Sequence, residues 1–340
     1  MAETNRGLRI GLMGLGQIGR QIYRLAAASE DIEIVAVADI ARSDVLKYLL
    51  ETGGDKTFRC RIEGNFLRGE GFCSRMLQHV APGDVPWDAF GVDCVIDATG
   101  RYRRREHAER HLAAGAGRLI MATLPADVPD RLLVPGINEA AASADDRMIS
   151  AGSPTTNALA LLLDALDAAV GVEYATMTTI HAYTSDQSLQ DYAQDDQRRS
   201  RSAAQNIIPN SNESAAWVEH LLPRFAGRLS GYALNVPVQR GSLLDLNCVL
   251  RQGGVEVAAI NDAMRAAAAA RPELIAVVED PIVSSDVIGC RHSLLFDLVA
   301  TQRAGARMAK TLGWYETLGH AWRVLDVARL YGALSSGDPQ

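Results

Sequence analysis

Apolar residues recur along the first 150 positions in short, regularly spaced bursts. Leu8-Arg-Ile-Gly-Leu-Met13 alternates apolar side chains and predicts a strand. A helical run over 20–28 follows, then a second apolar strand over 32–38. The stretch 45–86 carries glycine turns (Gly53-Gly54 and Gly69 to Gly71) between short alternating runs, and predicts a strand-rich excursion. Regular alternation then returns: strands over 92–96, 118–122 and 147–150, with a helix over 105–114. Strands alternating with helices imply a parallel sheet.

The pattern changes after Ser150-Ala-Gly-Ser-Pro-Thr-Thr-Asn157. Ser153 reads as an N-cap and Pro154 as the first helical residue, where a fixed φ and a missing N–H do no harm. A helix toward Val170 follows. Longer alternating segments over 174–180, 231–236 and 243–250 predict a mostly antiparallel sheet. A long polar stretch over 185–202 separates the first two and carries Arg198, Arg199 and Arg201; loops of that length are usually functional. An alanine-rich helix over 258–270 stops at Arg271-Pro272. A final amphipathic helix places Trp322, Leu325 and Ala328 on one face. The expected architecture is an α/β Rossmann domain over 1–153, completed by a C-terminal helix over 320–333, and an α+β domain over 154–319.

The first strand runs straight into Gly14-Leu-Gly16-Gln17-Ile18-Gly19, and the second ends at Asp39, 20 residues past Gly19. Strand, GxGxxG, helix, strand and acid together form a dinucleotide fingerprint. Gly14 permits the tight turn, Gly16 admits the pyrophosphate to the backbone, and Gly19 lets helix and strand pack. The helix N-terminus takes the pyrophosphate, and Asp39 takes the ribose hydroxyls. That favours NAD over NADP, although Arg42 lies close by. Thr99, Gly100 and Thr123 follow the carboxyl ends of predicted parallel strands, where open α/β sheets bind ligands. Arg101, Arg103, Arg104 and Arg105 form a cluster better read as a solvated face than as an anion site.

Composition narrows the partners. The 340 residues are 48% hydrophobic and 22% charged, with a formal charge of -7. This acidic balance gives no support for nucleic acid or an anionic membrane. The five cysteines are scattered, without metal-ligand spacing, so neither a disulfide framework nor a metal is expected. Asp164 and Asp167 interrupt the longest apolar run, so no membrane span is expected. The polar start over 1–7 lacks the apolar core of a signal peptide. A cytoplasmic protein acting on a small molecule fits these features.

Ser150 to Asn157, with Thr178-Thr-Ile-His181-Ala-Tyr-Thr184 some two dozen residues on, resembles the active site of the glyceraldehyde-3-phosphate dehydrogenases and their erythrose-4-phosphate-oxidising relatives. Gln205-Asn-Ile-Ile-Pro209, Leu222-Pro223, Gly227-Arg-Leu-Ser-Gly231 and Gly313-Trp-Tyr315 extend the resemblance over nearly the whole chain. It implies bound NAD, a homotetramer, His181 as catalytic base, and a polar S-loop over 185–202. Ser153, Thr155, Thr184 and Asp186 match positions that line the substrate site.

Four departures fall on functional positions. Pro154 stands where the family has its nucleophilic cysteine. Asn210-Ser-Asn212-Glu213 replaces a phosphate-binding Ser-Ser-Thr-Gly or Thr-Thr-Thr-Gly loop, and the Glu213 carboxylate would repel phosphate. Asn235 replaces the arginine that grips substrate phosphate, with Arg240 a partial substitute. Trp314-Tyr-Glu-Thr-Leu-Gly319 is one residue short and lacks the asparagine that holds the nicotinamide. The expectation is an NAD-dependent oxidoreductase without thioester chemistry; the alternative is an inactive NAD-binding pseudoenzyme.

Overall fold

The computed structural model describes residues 7–52, 57–78 and 81–336. The polar start before Gly7 and the Gly53-Gly54 turn lie outside them. The chain divides into two compact units. Among the described residues, the first holds those up to Leu133, then Glu139–Gly152 and those from Ala321; the second holds Val134–Asn138 and Ser153–His320.

The first unit is built on a sheet of nine strands. They are β1 (Leu8–Met13), β2 (Ile32–Asp39), β3 (Arg61–Glu63), β4 (Phe66–Gly69), β5 (Phe72–Gln78), β6 (Cys94–Asp97), β7 (Leu119–Met121), β8 (Arg131–Leu132) and β9 (Met148–Ser150). Their order is β3-β4-β5-β2-β1-β6-β7-β9-β8. Pairing is parallel from β5 to β8, and antiparallel only in the β3-β4-β5 meander. The helices are α1 (Gln17–Ala27), α2 (Ser43–Thr52), α3 (Trp87–Phe90) and α4 (Arg105–Ala113). This is the doubly wound arrangement that the alternation implied.

One expectation needs correction. The excursion over 45–86 is strand-rich only from Arg61; its first residues belong to α2. Only Leu46 and Leu50 of that helix are buried. So narrow an apolar stripe gives little periodicity to detect.

The second unit carries α5 (Pro154–Val170), β10 (Val172–Ala182), β11 (Ile208–Asn210), α6 (Ser214–Leu221), β12 (Leu229–Val236), β13 (Ser242–Leu250), α7 (Val257–Ala270), β14 (Ile275–Val278), β15 (Leu294–Ala304) and β16 (Met308–Tyr315). The sheet order is β11-β12-β10-β13-β16-β15-β14. The β10–β12 and β14–β15 pairs are parallel and the others antiparallel. The core of this unit is α5, buried from Thr155 through Leu163, packed with residues of β10, β13 and α7. A helix apolar on nearly all sides has to be a central one. The last helix, α8, spans Thr317–Ser336. Its Ala321, Val324, Leu325, Val327, Ala328 and Tyr331 lie in the core of the first unit.

Candidate functional site

The nucleotide end of the first unit follows from glycine. Gly14 adopts φ 91°, a left-handed conformation that side chains resist. A Cβ at Gly19 would run into the Gly14 carbonyl oxygen, whereas one at Gly16 would meet no atom within 4 Å. The loop is therefore packed shut at Gly19 and open at Gly16. Among the described residues no side chain caps α1, and an uncapped helix start suits a pyrophosphate. Gln17 and Ile18 begin the helix and are half-buried.

Asp39 ends β2 and does two jobs. Its Oδ2 accepts from the Leu15 amide at 2.7 Å and its Oδ1 from the Ala41 amide at 2.8 Å. The carboxylate thus ties the glycine loop to the end of the second strand and keeps acceptor capacity for ribose hydroxyls. Arg42 is exposed and paired with Asp44 at 2.6 Å, so its charge has an internal partner. Asp97 ends β6 and holds Thr99 twice, accepting from its amide at 2.8 Å and its hydroxyl at 2.6 Å. Gly100 follows at φ 70°, beside Thr123, whose carbonyl accepts from Ser150 Oγ at 2.8 Å. These residues fit a dinucleotide. In the arginine cluster, Arg103 donates to the Leu124 carbonyl at 2.7 Å and Arg105 pairs with Asp130 at 2.9 Å.

In the second unit, α5 begins as expected. Ser153 is its N-cap, accepting from the Thr156 amide at 3.1 Å, and Pro154 is the first helical residue. Ser153 Oγ lies 2.8 Å from Thr156 Oγ1 and 3.3 Å from Ser214 Oγ, at the start of α6. Asn212 Oδ1 accepts from the Ser214 amide at 2.8 Å, and Glu213 is exposed. The two helix starts are thereby linked through hydroxyls.

Tyr315 joins this helix start to the sheet. Its hydroxyl hydrogen-bonds Thr155 Oγ1 at 2.8 Å and Thr179 Oγ1 at 2.5 Å. Its ring meets the His181 ring edge-on, with centroids 6.2 Å apart. His181 Nδ1 lies 2.5 Å from the Ala182 carbonyl oxygen. A carbonyl only accepts, so Nδ1 carries the proton. Burial lowers the His181 pKa below its ordinary 6.5, partly opposed by that hydrogen bond and by the Asp186 charge. The ring is therefore neutral at pH 7, with the lone pair on Nε2, and can act as a base. Its solvent exposure is only partial.

His181 pairs in register with Asn235 of the parallel neighbour β12, so both side chains share one sheet face. Asn235 is buried and accepts from Asn210 Nδ2 at 3.2 Å. Nearby cations are paired internally. Arg240 binds the buried Glu316 at 2.7 Å, and Glu316 also accepts from the Leu318 amide at 2.8 Å. Arg199 binds Asp186, which also accepts from the Thr184 hydroxyl. Tyr315, Thr179, Ser214, Glu316 and Arg199 enter this description without having been singled out as site residues. The Tyr315 partners lie 160 and 136 residues away in sequence, and no local motif announces such contacts.

The chain matches two family models. Residues 8–105 match the NAD binding domain of glyceraldehyde 3-phosphate dehydrogenase, and residues 153–317 match its C-terminal domain. Among similar curated proteins, glyceraldehyde-3-phosphate dehydrogenase 2 of Streptomyces arenae is 38% identical over 333 residues, covering 96% of this chain and 99% of the relative. The glyceraldehyde-3-phosphate dehydrogenase of Kitasatospora aureofaciens is 39% identical, with the same coverage of each. That of Mycobacterium leprae is 36% identical, covering 96% of this chain and 98% of the relative. Matched in both units and over nearly the full length of these relatives, the chain belongs to the glyceraldehyde-3-phosphate dehydrogenase family, as an NAD-binding oxidoreductase.

Proposed function

We propose that this family member oxidises or reduces a small alcohol or carbonyl compound directly, without a thioester and without inorganic phosphate. The observation that carries the reading is Pro154 at the start of α5, which the motif resemblance aligns with the family's nucleophile. Proline offers no group to attack a carbonyl carbon. Four of the five thiols are poor substitutes: burial pushes Cys94 and Cys248 up to about 12 and Cys60 up to about 11, and raises Cys290 as well.

NAD, when bound, supplies a two-electron acceptor. In the oxidising direction His181 Nε2 takes the hydroxyl proton of the substrate. The substrate carbon–hydrogen bond gives up its electron pair as the carbonyl forms, and the proton stays on the imidazole until solvent removes it. Among the groups that open α5, the Thr155 amide is the one suited to a substrate oxygen on which charge develops, because Pro154 has no N–H and the Thr156 and Asn157 amides donate to Ser153. Ser153, Thr184, Asn212 and Asn235 supply neutral polar contacts. The Arg240–Glu316 and Arg199–Asp186 pairs, with Glu213 exposed beside α6, argue against a substrate bearing two phosphates.

A second reading has its own support. Glu316 occupies the shortened segment between β16 and α8, where the family holds the nicotinamide, and it is committed to Arg240 and the Leu318 amide. That favours a pseudoenzyme that binds NAD without turning over. The membership also supports a homotetramer in the cytoplasm; among the described residues no helix is long and apolar enough to cross a membrane.

Thermal shift with NAD and NADP, followed by a screen of alcohols and aldehydes for NADH formation or consumption, tests the proposal. Turnover lost in His181→Ala supports the oxidoreductase. Stabilisation by NAD with no turnover of any compound supports the pseudoenzyme. Light scattering on the eluted protein tests the tetramer, and a monomer would contradict it.

A further inference from the structure

Trp87, His111 and Asp97 form a buried chain inside the first unit. Trp87 Nε1 donates to His111 Nδ1 at 3.1 Å. An indole N–H can only donate, so Nδ1 carries no proton and the neutral ring has its hydrogen on Nε2. That nitrogen faces Asp97 Oδ2 at 3.7 Å. Among the described residues neither of these two atoms has a hydrogen-bond partner, although His111 is 0% and Asp97 3% exposed. A buried donor and a buried acceptor thus stand opposite each other, slightly beyond hydrogen-bonding distance. The other oxygen of Asp97 holds the amide and hydroxyl of Thr99.

The chain therefore runs from α3 through α4 to the end of β6 and the Thr99-Gly100 turn, at the ligand-binding edge of the parallel sheet. We infer that His111 is a positioning residue for NAD: its Nε2–H fixes the rotamer of the Asp97 carboxylate, and the carboxylate fixes the Thr99-Gly100 turn against the dinucleotide. A buried carboxylate needs a donor on each oxygen. His111 faces the oxygen that the turn leaves over. The inference rests on NAD binding, a property of the family, and not on the chemistry at His181.

Calorimetric NAD binding by the full-length protein tests this, with Tm recorded for each variant. His111→Gln keeps an acceptor for Trp87 and a donor with the reach of Nε2. His111→Leu removes both, and His111→Asn keeps the Trp87 partner but is too short to serve Asp97. Val85→Ala, in the same apolar cluster as Trp87, controls for general loosening. The expected result is a rise in the NAD dissociation constant of roughly tenfold in His111→Leu and His111→Asn, the size of ordinary coupling within one hydrogen-bond network. His111→Gln should stay within about twofold of the parent, and Val85→Ala should lose Tm without losing affinity. Lowered Tm with unchanged NAD affinity in His111→Leu would overturn the inference, as would equal losses of affinity in His111→Gln and His111→Asn. If His111→Leu does not fold, the Gln and Asn variants decide it by the same criteria.

Discussion

The glycine loop of the first unit and the start of α5 in the second are both helix N-termini. In the glycine loop every constraint agrees: a left-handed Gly14, an open Gly16, a closed Gly19, and Asp39 tying Leu15 to the end of β2. At the start of α5 the local structure is equally sound, with a capped helix and proline at the position that tolerates it best. Under the proposed function, proline stands there in place of the nucleophile. On that reading, a site keeps its backbone geometry while its chemistry changes. The two ends differ because dinucleotide binding uses mainly backbone shape, whereas thioester chemistry depends on one sulfur atom.

The sharpest way to break this comparison is Gly19→Ala. A Cβ there meets a backbone oxygen, so relief requires movement of the loop itself. The expected outcome is a stability loss at the upper end of the roughly 1–3 kcal/mol typical of overpacking, with NAD binding lost. Undiminished NAD affinity by calorimetry would show that the loop is not the nucleotide site.

Arg240→Ala probes the other end. It leaves Glu316, with a side chain 1% exposed, without its cationic partner. Destabilisation of about 2 kcal/mol is expected, below the range for fully buried pairs because Arg240 itself is partly exposed. Urea unfolding measures it. Arg240→Ala with parent stability would mean that the pair is not structural.

Pro154→Cys sharpens the contrast further. Proline is tolerated here but not required, so stability should change by less than about 1 kcal/mol. The new thiol, at a helix start in the same unit as His181, should react readily with iodoacetamide. Phosphate-dependent oxidation of glyceraldehyde 3-phosphate should remain absent, because Asn235 and the Asn210 to Glu213 segment are unchanged. Activity restored by this single change would show that the cysteine was the only functional loss.

The smallest effect is a pH dependence. The folded-state pKa of His181 is depressed below 6.5. Between the folded and unfolded values the unfolded chain binds more protons, so the His181 contribution to stability is present above about pH 6.5 and is lost as pH falls through that window. His181→Gln should flatten this part of the stability profile, and an unchanged slope would refute the assignment.

Much of this was legible in the sequence, for physical reasons that differ by region. The glycine fingerprint is local, so its spacing carries the geometry. The same holds for the Ser153 cap and for Pro154. The α2 helix escaped because it buries little. The Tyr315 link between Thr155 and Thr179 escaped because strands distant in sequence bring it together. The Arg240–Glu316 and Arg199–Asp186 pairs show why charge at a site cannot be counted from residue types alone: each cation there had already met an acid.

The most direct test of the central claim is NADH formation from glyceraldehyde 3-phosphate and inorganic phosphate, run on the purified protein beside its His181→Ala variant. The account predicts the same background rate for both, with NAD bound in each. Turnover in the parent that His181→Ala abolishes would contradict it, since oxidation coupled to phosphate would then be proceeding with proline at position 154.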